Sequence, residues 1–248
     1  MKFTNIILLV IGVLMITGIL ASNITLKKVY DKIDKSNTYW TYDKVSQQSF
    51  RHVSIKGGNV THIIHEPSAE YSVRILREWV SFHGGKFISD IKNDTLFIDF
   101  NYQPTNEYER EWLNNSAAIR IFSPELLSVT GDDTRFEMHL AKQKNITVAL
   151  KGKSQFVMEA MSQELDSINV HQNDSSIAVL MMSPNYSISS TKSQPAALIE
   201  NMRIRSVTAD VQNASLLNIG HAQVEKLSLN VEDSAAVVLS GKTLKNLK

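Results

Sequence analysis

From Val129 onward, apolar positions recur at nearly constant spacing. Val129, Val148, Ile168, Val207, Leu227 and Leu247 are separated by steps of 19, 20, 39, 20 and 20 residues, and periods of this size mark stacked repeats. Leu126, Leu165, Ile204, Val224 and Leu244 add apolar partners three residues before Val129, Ile168, Val207, Leu227 and Leu247. After each pair the apolar residues fall on every second position, as in Leu227-Ser-Leu229-Asn-Val231. That is the period of a strand with one buried face. About ten residues later a second short run follows: Phe136-Glu-Met138, Phe156-Val-Met158, Ile177-Ala-Val179, Leu217-Asn-Ile219 and Val237-Val-Leu239. Two strands per repeat are predicted.

Between the two runs lie Gly131-Asp-Asp-Thr134, Lys151-Gly-Lys-Ser154, Gln172-Asn-Asp-Ser175, Gln212-Asn-Ala-Ser215 and Glu232-Asp-Ser234, whose side chains bond the backbone locally in turns. Leu165-x-x-Ile168-x-Val170-x-x-Asn173 also matches half of a leucine-rich repeat. The second half of each repeat is again short, apolar and partly β-branched, which argues against the helix that fold places there. An ordinary β-sandwich shares the short strands and turn signals. The predicted fold is therefore all-β, a short right-handed β-helix or β-solenoid with coils of about 20 residues, preceded by one N-terminal transmembrane helix.

That helix is read from Lys2 followed by the apolar run Ile6–Ala21, which extends from Phe3 to Ile24, near the length that spans a bilayer. An anchor or a signal peptide fits. Ile19-Leu-Ala-Ser-Asn23 lacks a clean small-x-small cleavage site, which favours an uncleaved anchor. The chain has no cysteine, so neither a lipoprotein anchor nor a disulfide is available. Lys27, Lys28, Lys32 and Lys35 follow the run, and a positive-inside count would hold that flank in the cytoplasm. Three segments are expected: residues 1–22 as membrane anchor or uncleaved signal, 23–48 as a membrane-proximal linker carrying Tyr30, Tyr39, Trp40 and Tyr42, and 49–248 as the β-solenoid head domain.

Within the head, Val53-Ser-Ile55, Val60-Thr-His-Ile63, Tyr71-Ser-Val73-Arg-Ile75 and Leu96-Phe-Ile98 read as early strands, with Gly57-Gly58 and Gly84-Gly85 as turns. Gln103–Ser116 is charged, contains Trp112 and reads as a short surface helix. Pro184–Pro195, rich in serine and threonine, sits inside the 39-residue step either as a loop or as a degenerate coil near Ile188. The 26 lysines and arginines against 25 acids leave no charge bias, which with the lack of a basic stripe excludes nucleic acid as the expected partner.

Candidate chemistry is sparse. His62-Ile-Ile-His65-Glu66 places two histidines three apart. On a strand these point to opposite faces, whereas the helical zinc signature needs a spacing of four. Asp132, Asp133, Asp166, Asp174, Asp210 and Asp233 recur near repeat edges. A glycosidase would need two carboxyls held roughly 5 to 9.5 Å apart, and solvated turn residues are the simpler reading. Ser189-Ser-Thr-Lys192 has a serine-x-x-lysine spacing without its partner motifs. No catalytic, cofactor-binding or metal-ligating residue is assigned, and no enzyme activity is expected.

The stretches Phe50-Arg-His-Val53-Ser-Ile55-Lys-Gly57-Gly58-Asn-Val60, Tyr71-Ser-Val73-Arg-Ile75 and Asn93-Asp-Thr-Leu96-Phe-Ile98 resemble the start of the GIN-type head domain of auto-transporter adhesins of Bacteroidetes. The resemblance runs from about Phe50 to Lys248. It implies a right-handed β-helix exposed to the cell envelope and an adhesin role without a defined ligand. Family members carry repeated Gly-Ser-Gly turns; here the corner glycines are sparse, at Gly131, Gly152, Gly220 and Gly241. The expected function is that of a non-enzymatic, membrane-anchored envelope protein. It is held in the inner membrane with its C-terminal part in the periplasm, or exported after cleavage. Its partners are the bilayer through the N-terminal segment and a protein or glycan on the solenoid face. The alternatives are an accessory subunit of an inner-membrane signalling or transport complex, and a carbohydrate-active β-helix enzyme.

Overall fold

The computed structural model describes residues 3–83, 87–140, 143–160, 164–182, 203–220 and 222–246 and divides into two units, Met1–Tyr42 and Asp43–Lys248. Gly84-Gly85, Ser189–Lys192, the Pro184–Pro195 segment and Leu247 lie outside the described residues.

In the first unit, α1 (Phe3–Tyr30) runs 28 residues with none buried. At 1.5 Å per residue it extends roughly 42 Å, long and apolar enough to cross a membrane. It continues past Ile24 into the predicted linker. The Thr25 hydroxyl donates to Ala21 O (2.9 Å), and Lys27 and Lys28 in the last turn complement the negative end of the helix dipole. Beyond the helix, Lys35 Nζ sits 4.2 Å from the Tyr30 ring centre, and Tyr39 meets Tyr42 edge to face.

The second unit is mostly β. Its elements are β1 (Tyr42–Ser46), β2 (His52–Gly57), β3 (His62–Pro67), β4 (Ser72–Leu76), α2 (Arg77–His83), β5 (Ile88–Lys92), β6 (Thr95–Phe100), α3 (Glu107–Asn114), β7 (Ala117–Ser123), β8 (Ser128–Asp132) and β9 (Arg135–Leu140). They continue with β10 (Asn145–Lys151), β11 (Gln155–Ala160), β12 (Glu164–Gln172), β13 (Ile177–Met182), β14 (Arg203–Val211), β15 (Leu216–Gly220), β16 (Gln223–Val231), β17 (Ala236–Leu239) and α4 (Gly241–Asn246). Two sheets form. One has the order β1-β4-β7-β3-β9-β11-β13-β15-β17 and the other β16-β14-β12-β10-β8-β2-β6-β5. From β8 to β17 successive strands alternate between the sheets, and their neighbours within each sheet are parallel. Antiparallel pairing occurs at β4–β7 and β5–β6. The apolar core includes Val53, Ile98, Val129, Val148 and Val207 from one sheet and Ile63, Ile119, Phe136 and Phe156 from the other.

The repeating columns are visible as registers. Val129 lies opposite Val148, Ile168 opposite Val207, and Val207 opposite Leu227. One predicted step slips: Val148 lies opposite Val170, and Ile168 opposite Ile146. A slip of two keeps every side chain on its face, so the apolar pattern alone does not detect it. In the other sheet Phe136, Phe156, Ala178, Leu217 and Val237 form the matching column, with the two phenylalanine rings stacked at 6.2 Å. β12 pairs directly with β14, and β13 with β15. The 39-residue step is thus one interval between neighbouring strands rather than two repeats.

The apolar pairs three residues apart also acquire a cause. The ladders join Leu165 to Ile204 and Ser167 to Ser206, skipping Asp166 and Arg205, and the next ladder skips Arg205 and Glu225. The strands share a kink there, so Ile204 and Val207, though of opposite parity, are both buried. Asp166 and Arg205 form an ion pair at 2.9 Å.

Turns between the sheets explain the scarcity of glycine. Asp133 (φ 53°), Gly152 (φ 64°), Asp174 (φ 64°) and Asn213 (φ 54°) each occupy left-handed backbone at such a turn, which Asp and Asn tolerate through local side-chain bonding. Lys153 N–H donates to Asp133 Oδ1 (2.7 Å) and Gly152 N–H to Asp174 Oδ2 (3.0 Å). Thr134, Ser154, Ser176 and Ser215, each just ahead of the next strand, are buried. Gly57 is a stricter requirement: its φ is 77°, and a Cβ there would lie 2.3 Å from Phe100 O.

The predicted surface helix is α3. Its N-cap Asn106 accepts from Glu109 N–H (2.9 Å), while the Glu109 carboxylate accepts from Thr105 N–H and Oγ1 and from the Tyr102 hydroxyl. Burial and this carboxylate push the Tyr102 hydroxyl up to about 12. Replacing Asn106 by Ala is expected to destabilise the fold by about 1 kcal/mol, measured as a lower midpoint in urea with an unchanged slope. At the C-terminal end of the described residues, Leu244 of the last apolar pair lies within α4. Thr243 anchors this helix by donating its hydroxyl to Gly220 O and Ala222 O.

Candidate functional site

The outward face of the second sheet is built by strand periodicity. Alternate residues face the core, so those between them align in rows across the parallel strands at about 4.8 Å per strand. One row runs His52, Ser128, Thr147, Asn169, Thr208, Ser228. The next runs Ser54, Thr130, Ala149, His171, Asp210, Asn230. Hydroxyl and amide groups therefore repeat in register, and His52 Nδ1 already bonds Ser128 Oγ at 2.8 Å.

A groove of about 310 Å³ opens on this face, lined by Thr130, Ala149, Lys151, His171, Asp210 and Gln212 among others. Its depression falls at Ala149, whose side chain ends at Cβ between the longer Thr130 and His171. Asp210 is oriented by its neighbours, accepting from Asn230 Nδ2 (2.9 Å) and Gln212 Nε2 (3.1 Å). Lys151 pairs with Asp132 at 3.0 Å. The groove thus combines an oriented carboxylate, an imidazole, an ammonium and a row of neutral donors and acceptors.

Of the carboxylates singled out from the sequence, Asp133 and Asp174 meet at one turn, each accepting from a backbone N–H of Gly152 or Lys153, and the others are spread over the unit. Asp132 and Asp210 lie on β8 and β14, three strand spacings apart, so roughly 14 Å separates their strands. That exceeds the span of a glycosidase pair. Asp133 and Asp174 hold turns, Asp166 pairs with Arg205, and Asp233 stands in the turn before β17.

The two histidines of the early motif are engaged separately. His62 Nδ1 pairs with Glu137, and its Nε2 lies 3.0 Å from Asn114 O. Burial alone would push the Glu137 carboxyl up, but the hydrogen bond and charge of His62, with Arg135, hold it below the usual range. His65 is buried, with Nε2 2.9 Å from Ser123 Oγ. Sequence reasoning passed over the groove, because Thr130, Ala149 and His171 become neighbours only through a register that apolar columns leave uncertain by two residues.

No family model and no curated protein matches the chain. Among solved structures, a "putative adhesin" from Bacteroides fragilis NCTC 9343 is similar at 14% identity, over 79% of this chain and 94% of that one, with a TM-score of 0.48. A "putative adhesin" from Parabacteroides distasonis ATCC 8503 is similar at 12% identity over 81% and 94%, TM-score 0.36. A "putative lipid binding protein" from the same organism is similar at 10% identity over 79% and 94%, TM-score 0.31.

Proposed function

We propose that this chain is a non-enzymatic envelope protein, anchored by α1, whose strand-rich unit winds as a short right-handed β-solenoid and binds glycan on the outer face of its second sheet. The alternation of β8 to β17 between two sheets, with parallel neighbours 19 to 22 residues apart except at the 39-residue step, supports the winding. Strand, crossover and parallel strand connect right-handedly in nearly all proteins.

The observation that carries the binding reading is the groove at Ala149 set within rows of hydroxyl and amide side chains. A sugar chain offers many hydroxyls that both donate and accept, and a flat row of groups with the same dual capacity matches it. Asp210 supplies the stronger, orienting bond, since a hydrogen bond to a charged group contributes roughly 1.5 to 3 kcal/mol, and His171 beside it offers a ring nitrogen.

Retention of the full chain, solubilised in detergent, on immobilised envelope polysaccharides tests this. Wild type is expected to be retained, and Asp210→Ala and His171→Ala each to weaken binding about tenfold, which corresponds to about 1.4 kcal/mol. Retention unchanged in both variants, or none on any polysaccharide, would discard the groove as a glycan site.

A further inference from the structure

The two sheets end on β16 and β17, and there the core is open. The columns that are buried in the preceding strands emerge at the last ones. Val170 and Ala209 are 0% and 2% exposed, while Leu229 in the same column is 37% exposed; Val211 is 0% exposed and its partner Val231 40%. In the other sheet Leu217 is 0% exposed while its partner Val237 on β17 is only half-buried, and Val238 on the outer face is 47% exposed. The α4 helix packs against β16, and its Thr243 is fastened beside the start of that strand, where Val224 is buried. The stretch from Ser228 to Val231 stays exposed. Of the edge strands β16 is the longest, with nine residues; β1 and β5 have five each and carry Asp43, Lys44, Asp90 and Lys92, and β17 has four. Charged, short edges discourage further pairing; a long edge strand with exposed apolar groups invites it.

We propose that this end is a twofold interface between two copies of the chain, with β16 pairing antiparallel with β16 of the second copy and β17 with β17. A twofold perpendicular to both edge strands reverses their direction while keeping each sheet against its own counterpart. Leu229 and Val238 lie equally far, two residues, from the Val231 and Ala236 ends of the connecting turn, so one axis crosses both strands at these positions. Opposed residues of an antiparallel pair share a face. With the axis at Leu229, Leu227 meets Val231 and Leu229 meets itself on the core side, while Ser228 meets Asn230 outside. Lys226 meets Glu232, giving two opposite-charge pairs by symmetry. Glu225 sits beyond this span at the kink that the ladders skip. On β17 the axis sets Val237 against Leu239 inside and Val238 against itself outside. One operation thus matches apolar with apolar on both strands and positive with negative on β16, as an isologous interface requires.

The absence of cysteine makes the test direct, because any single cysteine introduced can form a disulfide only between chains. Full-length Val238→Cys in detergent, under a mild oxidant, is expected to migrate as a covalent dimer, whereas Thr130→Cys on the groove face is expected to remain monomeric. The detergent-corrected mass of the wild type should be two protomers and that of Leu229→Asp one. A dimer that survives Leu229→Asp would be held elsewhere, α1 included, and would overturn the proposal. So would a single-protomer wild type, or Val238→Cys crosslinking no better than Thr130→Cys.

Discussion

Replacing Trp79 by Ala is expected to lower the stability of the strand-rich unit by about 3 to 5 kcal/mol, the usual range for deleting a large aromatic ring from a core. Trp79 lies on α2, fully buried, stacked on Phe100 with ring centres 4.7 Å apart and edge-on to Tyr102 at 5.8 Å. Its neighbour Phe100 ends β6, next to Gly57 of β2, where the backbone approaches too closely for any Cβ. The seven-residue α2 is too short to hold together through its own hydrogen bonds, so the docking of this ring, together with the exposed Arg77–Asp43 ion pair, holds it against the sheet. Domains are stable by only about 5 to 15 kcal/mol, and the loss would consume a large part of that margin. In thermal unfolding followed by far-ultraviolet circular dichroism it should appear as a fall in Tm of roughly 8 to 15 °C. The indole Nε1 is buried and has no hydrogen-bond partner among the described residues. Trp79→Phe, which keeps a stacked ring and removes that unpaired donor, is expected to lose far less. If Phe and Ala prove equally damaging, ring stacking is not what the site supplies.

This helix is also where sequence reasoning fell short, and the reason is physical. Arg77–His83 is a helix of about two turns whose helical state depends on tertiary contacts, the Trp79 ring and the Arg77–Asp43 ion pair, so local pattern carries little signal. Likewise β7 contributes Ile119 and Ile121 to the core, but Ala117-Ala-Ile-Arg-Ile-Phe-Ser123 is an apolar run interrupted by Arg120, without a repeat to place it. By contrast, the strands from Val129 onward repeat one environment, and each repeat reinforces the reading of the next. Val129, Ile168, Val207 and Leu227 were legible for that reason. What apolar period cannot supply is absolute register: the two-residue slip at Val148 leaves the buried face unchanged but decides which polar residues share a row. The groove consists of such residues, which is why its members Ala149 and His171 were unremarkable in the sequence. The carboxylates stood out by type, and the fold then spread them among turns, an ion pair and separate strands.

A second large effect is expected from pH, with stability falling as the solution is acidified from about 6.5 to about 4. His65 is buried on β3 with its Nε2 against Ser123 Oγ. Burial, then the nearby His139, pushes its imidazole down from the ordinary 6.5 to about 4. The unfolded chain therefore takes up a proton in this window that the folded chain refuses. Since stability rises with pH wherever the unfolded state binds more protons, this contribution is complete above about 6.5 and lost as pH falls towards 4. A difference of two to three pKa units corresponds to about 3 kcal/mol. Urea midpoints measured across this range should fall steeply in the wild type and less steeply in His65→Leu, which fills similar space and cannot titrate. Ser123 tolerates that exchange because its hydroxyl also reaches Glu125 O at 3.1 Å. Glu137, held below the usual carboxylate range by His62 and Arg135, loses its own contribution at lower pH and should leave a residual slope in both proteins. Parallel slopes for wild type and His65→Leu between pH 6.5 and 4 would show that His65 does not carry the acid sensitivity.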